Sequence, residues 1–405
     1  MGSARQVMFV FASVAEIYAL SSIQKGRDVV SFGSFIAEYG RSYAPGTQEY
    51  EDRRKLFETR IAEVKKHNSK PTRLWNAAIN HLSDRTDGEL VMLRGLRPMR
   101  ATKEATGEVR LHQQRGHFLH QVKNVVVPEE ISWTNLTSVQ ADTDQQACGS
   151  CWAVATATML WANAEINGYS RTFSAQELVD CVPNPYRCGG SGGCDGSTTE
   201  LAMNWVMEKG LAATDVTPYY GADGTCKKIS DGTSLLTNAG EDNLQQMVKI
   251  GFHGPLSLQS KGLEIGLRGW ERLPENEYEP LLKAVAFTGP VAVSVAADLW
   301  NSYGSGIFDD CGKNAVVDHA VTLIGYGVDK TRSNTPYWLI KNSWGLSWGE
   351  DGNIRLLRHV SDSYCGTDYQ PEVGTGCSGG PSSVPVCGMC GILYDSVVGY
   401  FNPAR

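Results

Sequence analysis

The chain predicts an α+β protein, with a mainly helical N-terminal region followed by a helical lobe and a strand-rich lobe. Glu49, Arg53, Phe57, Arg60, Val64 and Asn68 recur at intervals of three and four, which places them on one face of a helix. Cys151 opens an alanine-rich run, residues 152–160, that lacks Gly and Pro and reads as a second helix. From Pro280 onward, residues 291–297, 320–326, 337–341 and 352–357 are β-branched or aromatic runs that read as strands.

In chain order, Arg5 precedes an apolar run at 7–20 that ends at Ser21-Ser22, the proportions of a signal peptide over 1–22. Glu16 interrupts that run, so a short buried helix is the alternative; the run is too short to span a membrane comfortably. The polar stretch 23–125 carries the first helical face. Residues 97–123 are basic and contain histidines. The helical lobe is expected at about 136–228 and the β-rich lobe at 266–405. Residues 229–265 between them hold turn residues, one apolar stretch and His253. The two lobes would face each other across a cleft, with Cys151 on one wall and His319 on the other. Hydrophobic content of 41% and charge of 20% over 405 residues describe an ordinary globular chain. A net charge of −7 gives no reason to expect nucleic acid. Eleven cysteines, several in Gly-rich loops, fit an oxidising compartment.

The chemistry concentrates at Gln145-Gln146-Ala147-Cys148-Gly149-Ser150-Cys151-Trp152. A thiol in a first helical turn feels unpaired N–H groups and the positive end of the dipole, which favour thiolate. Cys151 could be a structural thiol, half of a redox C-x-x-C pair with Cys148, or a nucleophile. A nucleophile needs a base and a group to orient it. His319 stands before a strand-like run, and Asn342 closes another, before Trp344. If those strands pair, the Asn342 amide oxygen can accept one imidazole N–H and leave the other nitrogen for the thiol.

These segments resemble the papain-like cysteine peptidases, closest in pattern to the cathepsin L type; the signature C-G-[SA]-C-[WY] with distant His and Asn is a known local motif of that family. Val127-Pro128-Glu129-Glu130-Ile131-Ser132-Trp133 is similar to the family's mature N-terminus, with Ser132 where Asp is usual. Ser174-Ala175-Gln176-Glu177-Leu178-Val179-Asp180-Cys181 and Gly193-Cys194-Asp195-Gly196-Ser197 are similar to two further family segments. The 49–68 face is similar to the helical motif of cathepsin L-type propeptides, with Arg60 and Val64 as substitutions, and Ala78, Asn80, Leu82 and Asp84 alternate as in that family's G-N-F-D strand, again with two substitutions.

The resemblance implies a papain-like two-lobe fold and a cysteine endopeptidase made as a zymogen. In it Cys151 is the nucleophile, paired as thiolate with the His319 imidazolium and passing through an acyl-enzyme, His319 the base and later acid, Asn342 the orienter, and Gln145 with the Cys151 N–H the oxyanion hole. Residues 23–125 would be an inhibitory propeptide, the chain's own partner beside protein and peptide substrates, and 126–405 the mature peptidase. Trp344 would shield the His319–Asn342 bond, and the Asp318 carbonyl would face the substrate backbone. Thr198, Thr199, Ser294, Val317 and Ala320 map to the pocket for the residue two before the scissile bond, with Asp395 at its floor. A carboxylate there suggests tolerance of Arg or Lys. Ser197 replaces a Gly whose backbone pairs with substrate.

The family pattern implies the bridges Cys148–Cys194 and Cys181–Cys226. Cys311 would pair with Cys390, which leaves Cys188, Cys365, Cys377 and Cys387 for extra bridges, or else with Cys365. A zinc site at Cys387 and Cys390 lacks a second ligand pair at finger spacing, so neither metal nor cofactor is expected. Residues 229–265 have no family counterpart and would be a surface loop near the cleft or a retained exon. They carry no adjacent histidines like those of carboxydipeptidase relatives. Asn135-Leu136-Thr137 is a glycosylation sequon. The expected setting is a lysosome- or vacuole-like acidic compartment or the exterior, without a membrane anchor and as a monomer. Acid is expected to loosen the propeptide by protonating Asp84 and Glu49. An inert scaffold homologue and a thiol–disulfide oxidoreductase are the rival functions.

Overall fold

The computed structural model describes residues 31–95, 125–226 and 261–404. The expected signal peptide, the basic stretch 97–123 and most of 229–265, with His253, lie outside the described residues.

The N-terminal region is built on α1 (Phe32–Glu38) and α2 (Gln48–Asn68). Thr47 caps α2, with Glu49 and Glu51 in its first turn and Lys65, Lys66 and His67 in its last, each sign opposite the dipole end it meets. The face read from the sequence is the one that packs. Phe57 is buried with Phe32, Phe35 and Ile79, Arg53 pairs with Glu89, and Arg60 reaches Asp87 at 3.2 Å. Asn68 at its end accepts from the Ala77 N–H at 2.9 Å and donates to the Ala77 carbonyl at 2.8 Å. That pair fixes β1 (Trp75–Ala77) against the helix. The strand expected over 78–84 does not form; β1 ends just before it, at Ala77. Beyond it the Asn80 side chain accepts from the Leu82 N–H at 2.9 Å and Ser83 Oγ from the Asn80 N–H at 3.1 Å, and these local bonds turn the chain. Next, α3 (Asp87–Met92) starts in a capping box of Thr86 and Glu89.

After β2 (Ile131–Ser132), the helical lobe holds α4 (Thr137–Gln140), α5 (Cys151–Ile166), α6 (Ala175–Cys181), α7 (Thr199–Lys209) and α8 (Lys261–Glu264). Most of α5 is buried all round, which its small side chains allow. The β-rich lobe has β3 (Leu267–Arg272), α9 (Tyr278–Phe287), β4 (Val291–Val295), β5 (Tyr303–Phe308), β6 (His319–Asp329), β7 (Thr335–Lys341) and β8 (Asn353–Leu357). It ends with β9 (Cys365–Asp368), β10 (Val384–Cys387) and β11 (Ser396–Phe401).

The main sheet runs β1-β5-β8-β7-β6-β4-β11-β3, with β2 on β6. Among the described residues only β5 and β8 pair in parallel; β1 extends the sheet by pairing antiparallel with β5. A core of Trp300, Trp338, Trp348, Tyr303 and Phe308 fills the β-rich lobe, and one of Trp152, Met159, Leu160 and Met203 the helical lobe.

Cys148–Cys194, Cys181–Cys226 and Cys311–Cys390 are bridged, joined by Cys188–Cys377 and Cys365–Cys387. The ambiguity over Cys311 is decided by register: β9 and β10 pair with Cys365 opposite Cys387, so Cys365 is taken. Among the described residues no helix is long and apolar enough to cross a membrane.

Candidate active site

Cys151 is the free cysteine, at the first position of α5. The bridge from Cys148 to Cys194 and a bond from the Gly149 N–H to the Cys194 carbonyl at 2.9 Å pin the loop before it. Gly149 cannot carry a side chain, since a Cβ would stand 2.5 Å from that carbonyl and 2.8 Å from the Cα of Gly95. With Cys148 bridged, the C-x-x-C is not a dithiol, and the redox reading loses its premise.

His319 opens β6, and β7 runs antiparallel beside it to deliver Asn342. His319 Nε2 lies 2.8 Å from Asn342 Oδ1, which also accepts the Ser343 N–H at 2.8 Å. His319 Nδ1 is buried and has no hydrogen-bond partner among the described residues. The Trp344 ring lies 5.0 Å from the imidazole and Trp300 meets it edge-on at 6.4 Å, which keeps water away. Gln145 is fully buried. Its Oε1 accepts from Ser343 Oγ at 2.6 Å, which turns Nε2 toward the loop before Cys151, where it donates to the Cys148 carbonyl at 2.9 Å. Tyr219 donates to the Gln145 carbonyl at 2.9 Å and shares a 2.5 Å hydrogen bond with Ser150. Sequence reasoning passed over Ser343 and Tyr219. The position of Ser343 between Asn342 and Trp344 was the available signal; Tyr219 had none.

The N-terminal region crosses this site. Leu93 offers its carbonyl to Gln145 Nε2 at 2.8 Å. Arg94 Nε stands 2.8 Å from Asp318 Oδ2 as an ion pair. Gly95, at φ 78°, lies so close that a Cβ would be 3.2 Å from Cys151 Sγ. The side chain of Asp318, rather than its carbonyl, is thus what the N-terminal region holds. Its other oxygen accepts the Ala297 N–H at 3.0 Å, and burial raises its carboxyl to about 7.

Under this cover burial pushes the Cys151 thiol from 9.0 up to about 11, a displacement worth about 3 kcal/mol. A helix start supplies about 0.3–2 kcal/mol in the other direction. Burial and the helix start thus act on the thiol in opposite directions while the N-terminal region is in place. Burial likewise lowers His319 to about 4, with Asn342 opposing the shift and Arg94 adding to it.

The cavity beside Cys151 and His319 is lined by Ser197, Thr198, Thr199, Ser294, Asp318 and Ala320, and also by Gly374 and Thr375. Ser197 is accommodated because its φ is not in the left-handed region; Gly196, at φ 92°, bears that conformation. Val317, Trp344 and Asp395 do not line the cavity. Val317 is fully buried, and its N–H donates to Asp368 Oδ2 at 3.1 Å. Asp395 lies beneath Ser294, whose hydroxyl it accepts at 2.6 Å, and is paired with Arg272 at 2.8 Å. Arg272 also approaches Glu200 at 3.3 Å. The carboxylate read as a floor thus already has a cation. Nothing in the sequence pointed to Arg272.

Residues 127–375 match the papain family cysteine protease and residues 32–90 the cathepsin propeptide inhibitor domain. A probable cysteine protease of Arabidopsis thaliana is 31% identical over 352 residues, covering 85% of this chain and 84% of that protein. The cathepsin L-like proteinase of Phaedon cochleariae is 29% identical, over 85% of this chain and 93% of that one. The solved digestive procathepsin L2 proteinase of Tenebrio molitor larval midgut superposes with a TM-score of 0.64 at 25% identity, covering 94% of this chain and 100% of that one. The chain belongs to the papain family of cysteine proteases, as a cathepsin L-like cysteine endopeptidase made as a zymogen behind its own propeptide inhibitor domain.

Proposed function

We propose that Cys151, His319, Asn342 and Gln145 carry peptide-bond hydrolysis. Cys151 Sγ bonds to the scissile carbonyl carbon while His319 Nδ1 takes the thiol proton. Collapse of the intermediate breaks the C–N bond, and His319 gives that proton to the leaving amine. A water, deprotonated by His319, then attacks the acyl-enzyme; the acid departs and the thiol regains its proton. Asn342 fixes the imidazole, and Trp344 keeps their bond dry. Gln145 Nε2 and the Cys151 N–H hold the oxyanion once the Leu93 carbonyl has left; such a donor is worth about 10²–10³ in turnover. Ser197 pairs with the substrate backbone. Thr198, Thr199, Ser294 and Ala320 line the pocket for the residue two before the bond, over an Asp395 already matched by Arg272.

The reading extends to a signal segment at 1–22, an inhibitory domain at 23–125 and a mature peptidase at 126–405. The mature part comprises a helical lobe at 136–228, an insertion at 229–265 and a β-rich lobe at 266–405. A monomer in a lysosome- or vacuole-like acidic compartment, or secreted, fits this organisation.

The observation that carries the mechanism is the 2.8 Å His319–Asn342 bond, with one imidazole nitrogen left for the single free thiol at a helix start. A thiol-directed epoxide peptide applied to processed enzyme tests it. Label on Cys151 with loss of hydrolysis, and no hydrolysis by Cys151→Ala, are the expected results; label elsewhere or an active Cys151→Ala would refute it.

A further inference from the structure

Residues 366–389 take no part in the chemistry above, yet two disulfides hold them. β9 and β10 stand as a separate two-stranded sheet whose base is closed by Cys365–Cys387. The chain between these strands leaves the β-rich lobe and reaches the helical lobe, where Cys377 is bridged to Cys188. Backbone bonds follow the crossing. The Thr375 N–H donates to the Val317 carbonyl at 3.2 Å on the β-rich side. On the helical side the Gly189 N–H donates to the Gly376 carbonyl at 2.9 Å, and the Ser378 N–H to the Tyr186 carbonyl at 3.0 Å.

The crossing lies at one end of the catalytic cleft. Gly374, Thr375 and Gly189 line the same cavity as Cys151, Thr198 and His319. Gly189 lies against Ser197, where a Cβ would come 2.5 Å from the Ser197 carbonyl oxygen. The N-terminal region enters from the opposite end. His81 bonds Ser347 at 2.8 Å there, Leu93 meets Gln145, and only then does Gly95 reach Cys151. An open cleft between two lobes lets an extended chain continue past the reacting residue in both directions. Here one direction is closed by backbone joined covalently to both walls.

We propose that residues 366–389 form a disulfide-anchored strap that ends the substrate groove at the second residue before the scissile bond. The inference rests on the catalytic reading above, which puts Ser197 and Thr198 on that side. Longer substrates must leave the cleft at the strap, so residues further toward their N-terminus gain no contact in the groove. Specificity on that side then comes from two residues, and peptides with only two residues before the bond are full substrates.

A series of fluorogenic peptides with one to four residues before the scissile bond, given to processed enzyme, tests this. We expect kcat/KM to rise about tenfold or more from one residue to two and then stay flat within about threefold. A further rise of about tenfold on adding the third or fourth residue overturns the strap. Loss of hydrolysis across the whole series overturns both this inference and the catalytic reading, so the two failures are distinguishable. A second arm replaces residues 369–383 by an Asn-Gly turn between β9 and β10, with Cys188→Ser to remove the orphaned thiol. Hydrolysis of the two-residue peptide should persist while the longer peptides gain; a folded variant with an unchanged length profile overturns the proposal. If that variant does not fold, the series on the native enzyme decides alone.

Discussion

Burial beneath the N-terminal cover shifts the Cys151 thiol up and the His319 imidazole down, both away from their charged forms. Removing that cover lowers the thiol and raises the imidazole together, so uncovering the site also activates it. The carboxylates expected to sense acid are both ion-paired. Asp84 is buried against Arg41 at 2.9 Å, and Glu49 is a surface partner of Arg53 at 3.8 Å. Burial would raise Glu89, but its bonds from Arg53 and Thr86 outweigh this and hold it at about 2, below mild acid. His81 is better placed. Burial lowers it to about 4, with Asp144 opposing and Arg41 and Arg85 assisting, and its Nδ1 bonds Ser347. A histidine depressed in the docked state stabilises docking above its ordinary value of 6.5, and that stability is lost as pH falls toward about 4. Processing should therefore accelerate across this window, and His81→Gln, which keeps a polar partner for Ser347, should flatten the acceleration. Equal pH profiles for both proteins in a gel time course would contradict it.

Among the elements, α2 shows how far periodicity reaches. Its face was legible because side chains at intervals of three and four must share a side of any helix. That face holds Phe57 against α1, Arg53 against α3 and Asn68 against β1. Phe57→Ala should cost this small core about 3–5 kcal/mol, seen as an earlier first thermal transition in the proenzyme; an unshifted transition would rule the role out. Residues 78–84 misled because alternation suits either a strand or a turn held by Asn and Ser side chains, and here the side-chain bonds win. The edge pairing of β1 with β5 was not legible either, since it joins residues far apart in the chain. The same holds for the Cys311 partner, which the β9–β10 register decided.

Across the whole molecule, α7 and β3 bring Glu200 and Arg272 together with Asp395 beneath the cleft. Two buried carboxylates share one guanidinium. Burial pushes Glu200 up from 4.5 to about 7, while Arg272 holds Asp395 below its ordinary value despite burial. A carboxyl raised in the folded state contributes stability that is complete below about 4.5 and lost as pH rises through 7. The mature enzyme should thus melt at a lower temperature at pH 8 than at pH 5, and Glu200→Gln should reduce the difference. A variant as pH-sensitive as the parent would exclude this source. The sequence by itself determined the helix that starts at Cys151 and the face of α2, and it singled out Cys151, His319 and Asn342 as candidates, because short spacings and local propensities set these. The tertiary structure alone decided the burial of Cys151 and His319, the cation beneath Ser294 and the bridge from Cys377 to Cys188. Each depends on burial or contact between segments far apart in the chain, and no local pattern encodes that.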